Sequence, residues 1–424
     1  MSREMKHSGI PWIGEIPEHW EVCFIKQIMR NKSIKGYPDE MVLSLYRDYG
    51  VIPKNSRSDN HNVTSEDTSS YKFVEVGDFV INKMKAWQGS MAVSDYQGII
   101  SPAYYICRFT SKEVNKRYIH YLLRNDSYKT EYMRLSSGLR VGQWDLNVDD
   151  FLRIKMICPS LSEQQKIAEF LDKKCSEVDE MIALQEQIIE ELKAYKQSVI
   201  TEAVTKGLNP NVPMKDSGIE WIGEIPEHWR IDKVIRSFGL IGSGTTPKST
   251  EDDNFVGNIR WIQSGDINGG IMFECKNRIA ESTLKKTSAL KVYNPPFIIV
   301  AMYGASVGNT SISTIDGCVN QACCVLSDTH LNLDYTFNVI KTCKDYWLKK
   351  AVGGGQPNIS QDTIKSTWIP IPPTNEQQSI ADYLDKKCGE IDALIAIKQQ
   401  KIESLKEYKK SIIYEYVTGK KEVE

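Results

Sequence analysis

One short motif in these 424 residues could do covalent chemistry. Asn294-Pro295-Pro296-Phe297 spells NPPF, the tetrapeptide that adenine-N6 methyltransferases set against a flipped-out base. Upstream, Phe238-Gly239-Leu240-Ile241-Gly242-Ser243-Gly244 is rich enough in glycine to be tried as a cofactor-cradling loop. Such a site needs a following helical run with an acidic residue about 20 positions on, which this segment lacks. A methyl-transfer reading also needs a full nucleotide-binding domain of alternating strands and helices, and no such alternation is visible. Metal chemistry has less support still. The six histidines do not cluster, no C-x-x-C pair occurs, and the adjacent Cys323–Cys324 pair has a poor geometry for bridging or for zinc. Cys107, Cys158, Cys318 and Cys323 lie in apolar stretches, where a cysteine packs as a small hydrophobe.

A second set of residues could recognise rather than react. Lys, Arg, Asn and Gln side chains make the bidentate hydrogen bonds that base edges require, and aromatic residues stack beside them. Between residues 80 and 145 these are Lys83, Lys85, Trp87, Gln88, Arg140 and Gln143. Between 240 and 360 they are Thr245, Thr246, Lys248, Gln263, Tyr303, Asn309, Gln356 and Asn358. The glycine-flanked loops 138–142 and 353–355 suit a close approach of backbone to phosphate.

What must position these residues is written twice. Ser8–Trp20 reads SGIPWIGEIPEHW and Ser217–Trp229 reads SGIEWIGEIPEHW, differing only at Pro11 and Glu220. Glu163–Asp179, EQQKIAEFLDKKCSEVD, returns as Glu376–Asp392, EQQSIADYLDKKCGEID. The offsets, 209 and 213, define a tandem duplication of a unit far longer than a solenoid repeat. Between anchor and helix the copies diverge. Gly77–Ile81 stands opposite Pro295–Ile299, and Gly89, Gly98 and Ala103 opposite Gly308, Gly317 and Ala322. NPPF therefore falls where the first copy has Val76-Gly77-Asp78-Phe79, and is expected to be a turn feeding a strand.

Each copy closes with a long helical pattern, begun by the capping-box-like pairs Ser162/Gln165 and Asn375/Gln378. A seven-residue apolar repeat runs through Leu171, Val178, Gln185, Leu192 and Val199 in one helix. It runs through Leu384, Ile391, Lys398, Leu405 and Ile412 in the other. A stripe at that spacing wants a partner helix, and the matched polar positions Gln185 and Lys398 suit a register-fixing role. The two helices are expected to pack on each other. Formal charge follows the same partition. Residues 21–157 hold 20 Lys/Arg against 16 Asp/Glu and 230–371 hold 15 against 12, whereas 161–207 hold 6 against 10. Two mildly basic inserts on an acidic frame are too weakly charged to hold DNA unaided, so partners must supply phosphate affinity. No apolar run reaches the roughly 20 residues that span a bilayer and no secretory pattern opens the sequence, so a cytoplasmic site is expected.

WIGEIPEHW, a variable insert, then EQQ-x-IA-x-x-LDKKC and an exit near VT-x-G, all repeated once, resembles the specificity subunit of type I restriction–modification enzymes. Within the inserts, GDFVINKMKAWQGS (77–90) and GIISPAYYICR (98–108) look like one type of that family's target-recognition domain. GSGTTPK (242–248), AMYGASVGNT (301–310), VNQA (319–322) and GGGQPNIS (353–360) look like another. The resemblance implies an α+β protein: two mixed α/β target-recognition domains in tandem pseudo-two-fold repeat, separated by two long helices forming an antiparallel coiled coil. The expected layout is a first domain over 1–160 with its anchor at 8–20 and a spacer helix over 161–207. A linker and second anchor over 208–229, a second domain over 230–372 and a second helix over 373–420 follow. It implies reading of a bipartite, asymmetric site on double-stranded DNA, with two modification subunits and restriction subunits as partners. No cofactor is expected in this chain; S-adenosylmethionine, ATP and Mg belong to the partners. Phage DNA-mimic inhibitors are expected ligands of the whole complex. Two readers on one face of a duplex need half-site centres about one helical turn apart, so blocks of about 3–5 bp separated by about 5–8 unspecified pairs are expected.

Overall fold

The computed structural model describes residues 4–47, 49–57, 67–138, 144–351 and 357–423. The chain folds as two compact units, Met1–Glu186 with Gln399–Glu424, and Gln187–Lys398. Each is built on the same plan. A hairpin opens it: Met5–His7 pairs with Glu15–Pro17 in one unit and Met214–Asp216 with Glu224–Pro226 in the other, in identical register. The chain then enters the insert on one strand and leaves it on that strand's antiparallel neighbour. These neighbours are Glu21–Phe24 with Lys155–Cys158, and Arg230–Lys233 with Trp368–Ile371.

The matched central segments form the middle of each main sheet. In the first unit the strand order is Met29–Lys32, Tyr104–Phe109, Phe79–Asn82, Met91–Val93. In the second it is Phe238–Gly242, Cys323–Thr329, Phe297–Ala301, Thr310–Ser313, extended by a parallel edge strand, Ile271–Met272. β-branched and aromatic residues dominate these strands, and both faces of Phe79–Ile81 and Phe297–Ala301 are covered, which explains their unbroken apolar run. Helices Lys116–Arg124 and Asp126–Leu135, capped by the Asn115 and Asn125 side chains, cover the first sheet. Leu333–Thr342, capped by Asn332, and Lys344–Lys350 belong to the second unit.

Two continuous helices, Leu161–Lys206 and Thr374–Val417, take part in both units. In the first unit the start of one lies antiparallel to the end of the other. Lys409 Nζ donates to both Asp179 carboxylate oxygens at 2.6 Å, and the Phe170 and Tyr416 ring centroids are 4.3 Å apart. In the second unit Lys196 Nζ reaches the Asp392 oxygens at 2.7 and 2.6 Å. These are one ion pair made twice, since Asp179 matches Asp392 and Lys196 matches Lys409 across the repeat. Leu171, Val178, Val199, Leu384, Ile391, Leu405 and Ile412 are buried, while Gln185, Leu192 and Lys398 are half-buried.

Each helix ends inside the other copy's domain. Ile412 and Val417 join the first unit's core with Trp20, Tyr118 and Leu171, and the Tyr118 hydroxyl donates to the Val417 carbonyl at 3.0 Å. Val199, Ile200, Ala203 and Val204 join the second unit's core with Trp229, Tyr335 and Leu384, and the Tyr335 hydroxyl donates to the Val204 carbonyl at 3.4 Å. Both helices stop at a left-handed glycine, Gly207 at φ 75° and Gly419 at φ 71°. A Cβ there would meet the Trp229 ring at 3.0 Å or the Trp20 ring at 2.9 Å, so glycine lets each exit close over an anchor tryptophan.

Two sequence expectations are corrected. The first helix is capped at Ser160, not Ser162. The Ser160 hydroxyl accepts from the Glu163 amide (3.3 Å), and the Glu163 carboxylate accepts from the Ser160 amide (3.2 Å). The second helix begins at Thr374 directly after Pro372-Pro373, and Gln378 bonds Asp382 along the helix instead of capping it. The pattern misled because serines and acids recur within this first turn, and the true cap is selected by a tertiary contact. Cys158 is not a free hydrophobe: it forms a disulfide with Cys23 across the paired boundary strands. The eight other cysteines are free, and Cys107, Cys318 and Cys323 are buried.

That tertiary contact makes Glu163 the hub of the first anchor. The Trp20 indole donates to it at 3.1 Å, His19 Nε2 at 2.8 Å and the Ser160 hydroxyl at 2.8 Å. Glu376 repeats the arrangement with Trp229 (2.9 Å) and His228 (2.7 Å). Burial alone would raise the Glu163 carboxyl, but the bonds from His19, Trp20 and Ser160 outweigh it and hold the group at about 2. A carboxyl depressed on folding stabilises above its unfolded pKa and stops doing so as pH falls through the folded one. Glu163→Gln should therefore lower thermal stability at pH 7 by about 1–3 kcal/mol, as expected for charged hydrogen bonds lost in part burial. The gap to the parent should close between about pH 4.5 and pH 2, measured by calorimetric melting across that range.

Candidate nucleic-acid interface

In both units several of the recognition candidates lie where the central strand leaves the sheet. In the first, Phe79–Asn82 runs into a 3-10 turn, Lys83–Gln88. The Asn82 side chain caps the turn by accepting from the Met84 amide (3.2 Å), and Gly89 at φ 80° ends it. Lys83, Lys85, Trp87 and Gln88 are thus presented on one short, rigid element. The Trp87 indole donates to the Met84 carbonyl at 3.1 Å, and its ring meets Trp144 edge-on at 5.4 Å. Lys85 and Met84 are exposed. The Lys83 ammonium lies 4.6 Å from the Tyr105 ring centroid. Arg140 and Gln143 lie outside the described residues.

In the second unit Phe297–Ala301 leads to Tyr303, which is exposed and bridges to Asn358. The GSGTTPK segment is stapled across the neighbouring strand. Ser243 donates to the Cys323 carbonyl (2.7 Å), and the Thr246 hydroxyl donates to the Gln321 side chain (2.6 Å). A Cβ on Gly244 would fall 1.8 Å from the Val319 carbonyl oxygen, so this glycine serves close packing, not a phosphate. The Trp261 indole donates to the Thr245 carbonyl at 3.3 Å, and the Asn320 amide donates to the Ile262 carbonyl at 3.1 Å. Thr245, Thr246, Gln263, Tyr303 and Asn358 are thereby brought around residues 320–322. Lys248 and Asn309 stand apart. Lys248 is almost wholly solvated, with Glu251 at 3.9 Å, and the Asn309 side-chain oxygen is taken by Lys344 Nζ at 2.9 Å. Gln356 lies outside the described residues.

Sequence reading missed Tyr105 and Gln321. Gln321 sits in the quoted VNQA, but only the fold shows that it is exposed and tied to Thr246. Tyr105 reads as one more strand aromatic until its pairing opposite Ile81 places it next to the turn.

The structure rules the methyl-transfer reading out on geometry. Phe297 is fully buried, packed in the sheet core near Tyr293, and cannot stack on an incoming base. Asn294, Pro295 and Pro296 form an exposed turn into the strand, with a cis Pro295–Pro296 bond. Phe238–Gly242 is itself a strand, paired with Val325–Thr329, and the next helical element after it is the short 3-10 turn Asp252–Phe255. Among the described residues no group of His, Cys, Asp and Glu has the geometry of a metal site.

The description of type I restriction modification DNA specificity domains matches residues 17–194 and again residues 226–407. The chain belongs to that family and carries its domain twice, as the DNA-recognising, non-catalytic component of such a system. Among curated relatives it is similar to the putative type I restriction enzyme MjaX specificity subunit of Methanocaldococcus jannaschii, 26% identical over 96% of this chain and 95% of that protein. The MjaVIII specificity subunit of the same organism is 25% identical over 96% and 93%. Among solved structures, one reported for assembly and conformational transition of the type I R-M system covers 95% of this chain and 99% of its own, at TM-score 0.70 and 17% identity. The HsdS subunit from Thermoanaerobacter tengcongensis covers 95% and 98% at TM-score 0.52 and 17% identity. These two likenesses bear on the fold alone.

If NPPF is a turn and its phenylalanine a core residue, the two halves of the motif should respond oppositely. Asn294→Ala should leave methylation by the reconstituted complex within about threefold, where loss of a catalytic group costs 10²-fold or more. Phe297→Ala should destabilise the second unit by about 3–5 kcal/mol through the cavity it leaves, measured by denaturant unfolding.

Proposed function

We propose that each unit reads one half of a split, asymmetric site on double-stranded DNA. The carrying observation is that one scaffold occurs twice with different side chains at the same exit from the central strand. The first unit offers Lys85, Trp87 and Gln88 to the bases, with Lys83 opening the same turn; the second offers Thr245, Thr246, Gln321, Tyr303 and Asn358. A repeated frame with unlike contact residues fits two different base sequences.

The helices also favour two equal partners. Met181, Leu184 and Tyr408 are 49, 54 and 52% exposed, and their matched residues Leu394, Ile397 and Tyr195 are 46, 59 and 51% exposed. Large apolar residues left in solvent at duplicated positions suit two copies of one partner, and modification subunits are the natural occupants. They would bring S-adenosylmethionine and methylate adenine N6, while restriction subunits would bring ATP- and Mg-dependent translocation and cleavage. This chain's own share needs no cofactor. No described helix is long and apolar enough to cross a membrane, and a cytoplasmic complex on DNA agrees with that. Phage DNA-mimics would compete for the same two surfaces.

Replacing residues 21–150 by another family member's insert tests this. Methylome sequencing of a host carrying the hybrid and its modification subunit should show one half-site changed and the other retained. A change in both halves, or in neither, would refute one reader per unit.

A further inference from the structure

Two lysines in the first unit are buried to the same degree, 8% exposed each, yet their surroundings differ. Lys32 has two carboxylates, Glu75 at 2.5 Å and Asp78 at 2.6 Å. Lys72 has none. Its ammonium donates to the Tyr104 carbonyl at 2.6 Å and lies 5.5 Å from the Tyr105 ring centroid. Lys83 approaches the same ring at 4.6 Å. Lys35 follows Ile34, whose carbonyl accepts the Phe73 amide at 2.8 Å, and so brings a third positive charge alongside. Among the described residues no carboxylate oxygen comes within 4.0 Å of Lys35, Lys72 or Lys83. Asp145 and Asp149 are close enough to act on the Tyr105 hydroxyl, but pair with none of the three lysines.

A partly buried ammonium without a counter-charge is costly, and a fold keeps one only when something offsets the cost. Burial, then Lys83 and Lys35, push the Lys72 ammonium below the ordinary lysine range. One carbonyl and one aromatic face satisfy part of its hydrogen-bonding capacity, which for an ammonium is three donors. The second copy has no such feature: Leu290 stands seven residues before Phe297, where Lys72 stands seven before Phe79.

We propose that Lys72 and Lys83, at the Tyr105 ring beside the Lys83–Gln88 turn, and Lys35, close enough to act on Lys72, form an anion site that takes one phosphodiester of the bound duplex. The inference rests on the first unit being a DNA reader and goes further by naming where that unit grips the backbone. The Tyr105 ring offers both ammonium groups a weak cation–π contact, at 5.5 and 4.6 Å from its centroid. A phosphate seated there would neutralise the buried charge and place the neighbouring turn, with Trp87 and Gln88, at the groove.

The test uses the full chain reconstituted with its modification subunit, a duplex bearing the site found by methylome sequencing, and the variants Lys72→Met and Lys83→Gln. If the parent complex binds no duplex, the reading of the unit fails as a whole. If the parent binds, each variant should weaken binding about fivefold at 0.15 M salt and flatten the log Kd against log salt slope by about 0.9, the value for one phosphate contact. The methylated motif should stay the same. Lys72→Met should also melt no lower than the parent, because a cost of burial has been removed. Unchanged affinity and slope in both variants, a Lys72→Met chain that melts lower, or a motif altered in one half would each overturn the phosphate assignment. So would equal protection of the parent's melting temperature by inorganic phosphate alone, which would make the site one for free anions.

Discussion

The fold depends on an exchange of helix ends. Each unit leaves part of its core open, and the last turns of the other copy's helix fill it. In the second unit Val199, Ile200, Ala203 and Val204 do this; in the first, Ile412 and Val417 do. Burying a Val or Ile side chain contributes about 1.5–3 kcal/mol, so the second unit gains roughly 5–10 kcal/mol from four borrowed residues. That is comparable to the whole net stability of a domain, about 5–15 kcal/mol. The second unit therefore draws a large part of its apolar stabilisation from the first copy's helix, and the first unit draws on Ile412 and Val417 in the same way. The glycine exits at 207 and 419 complete the exchange by letting each helix end rest on an anchor tryptophan.

The ion pairs along the helices play a different part. Asp179 and Asp392 are 59 and 58% exposed, so Lys409 and Lys196 gain only a few tenths of a kcal/mol to about 1 kcal/mol from pairing with them. Their value lies in geometry. The same pair at duplicated positions allows one antiparallel register, since a slip of one residue would break both bridges and bring polar residues into the seam. Rigid placement matters because hydrogen bonding to bases tolerates little error. A frame held by apolar exchange and indexed by charge can accept different inserts without being redesigned, provided each insert starts and ends on the paired boundary strands.

Much of this was legible in the residues. The duplication, the two long helices, their apolar seam and the turn nature of NPPF all follow from period and repetition, which survive without tertiary information. Other features did not, for identifiable reasons. The first helix cap lies at Ser160 because Glu163 is recruited by Trp20 and His19, 143 and 144 residues away in sequence. The Cys23–Cys158 disulfide, spanning 135 residues, depends on two boundary strands being neighbours. At the candidate interface, Lys83, Lys85, Trp87 and Gln88 could be chosen together because they are contiguous. Tyr105, Gln321 and Lys72 reach their places only through strand register. Asn309 and Lys248 have the right chemistry in the sequence, but one is engaged by Lys344 and the other stands in solvent.

Hydrogen exchange measured by mass spectrometry on a chain ending at Lys398 tests the helix exchange most directly. Removing 399–424 takes Ile412, Val417 and the Lys409 partner of Asp179 from the first unit and nothing from the second. Amides in Lys116–Arg124, Lys155–Cys158 and the first turns of Leu161–Lys206 should then lose most of their protection. Those in Phe297–Ala301 and Leu333–Thr342 should keep theirs. Undiminished protection throughout the first unit would contradict the view that each unit is closed by the other copy's helix.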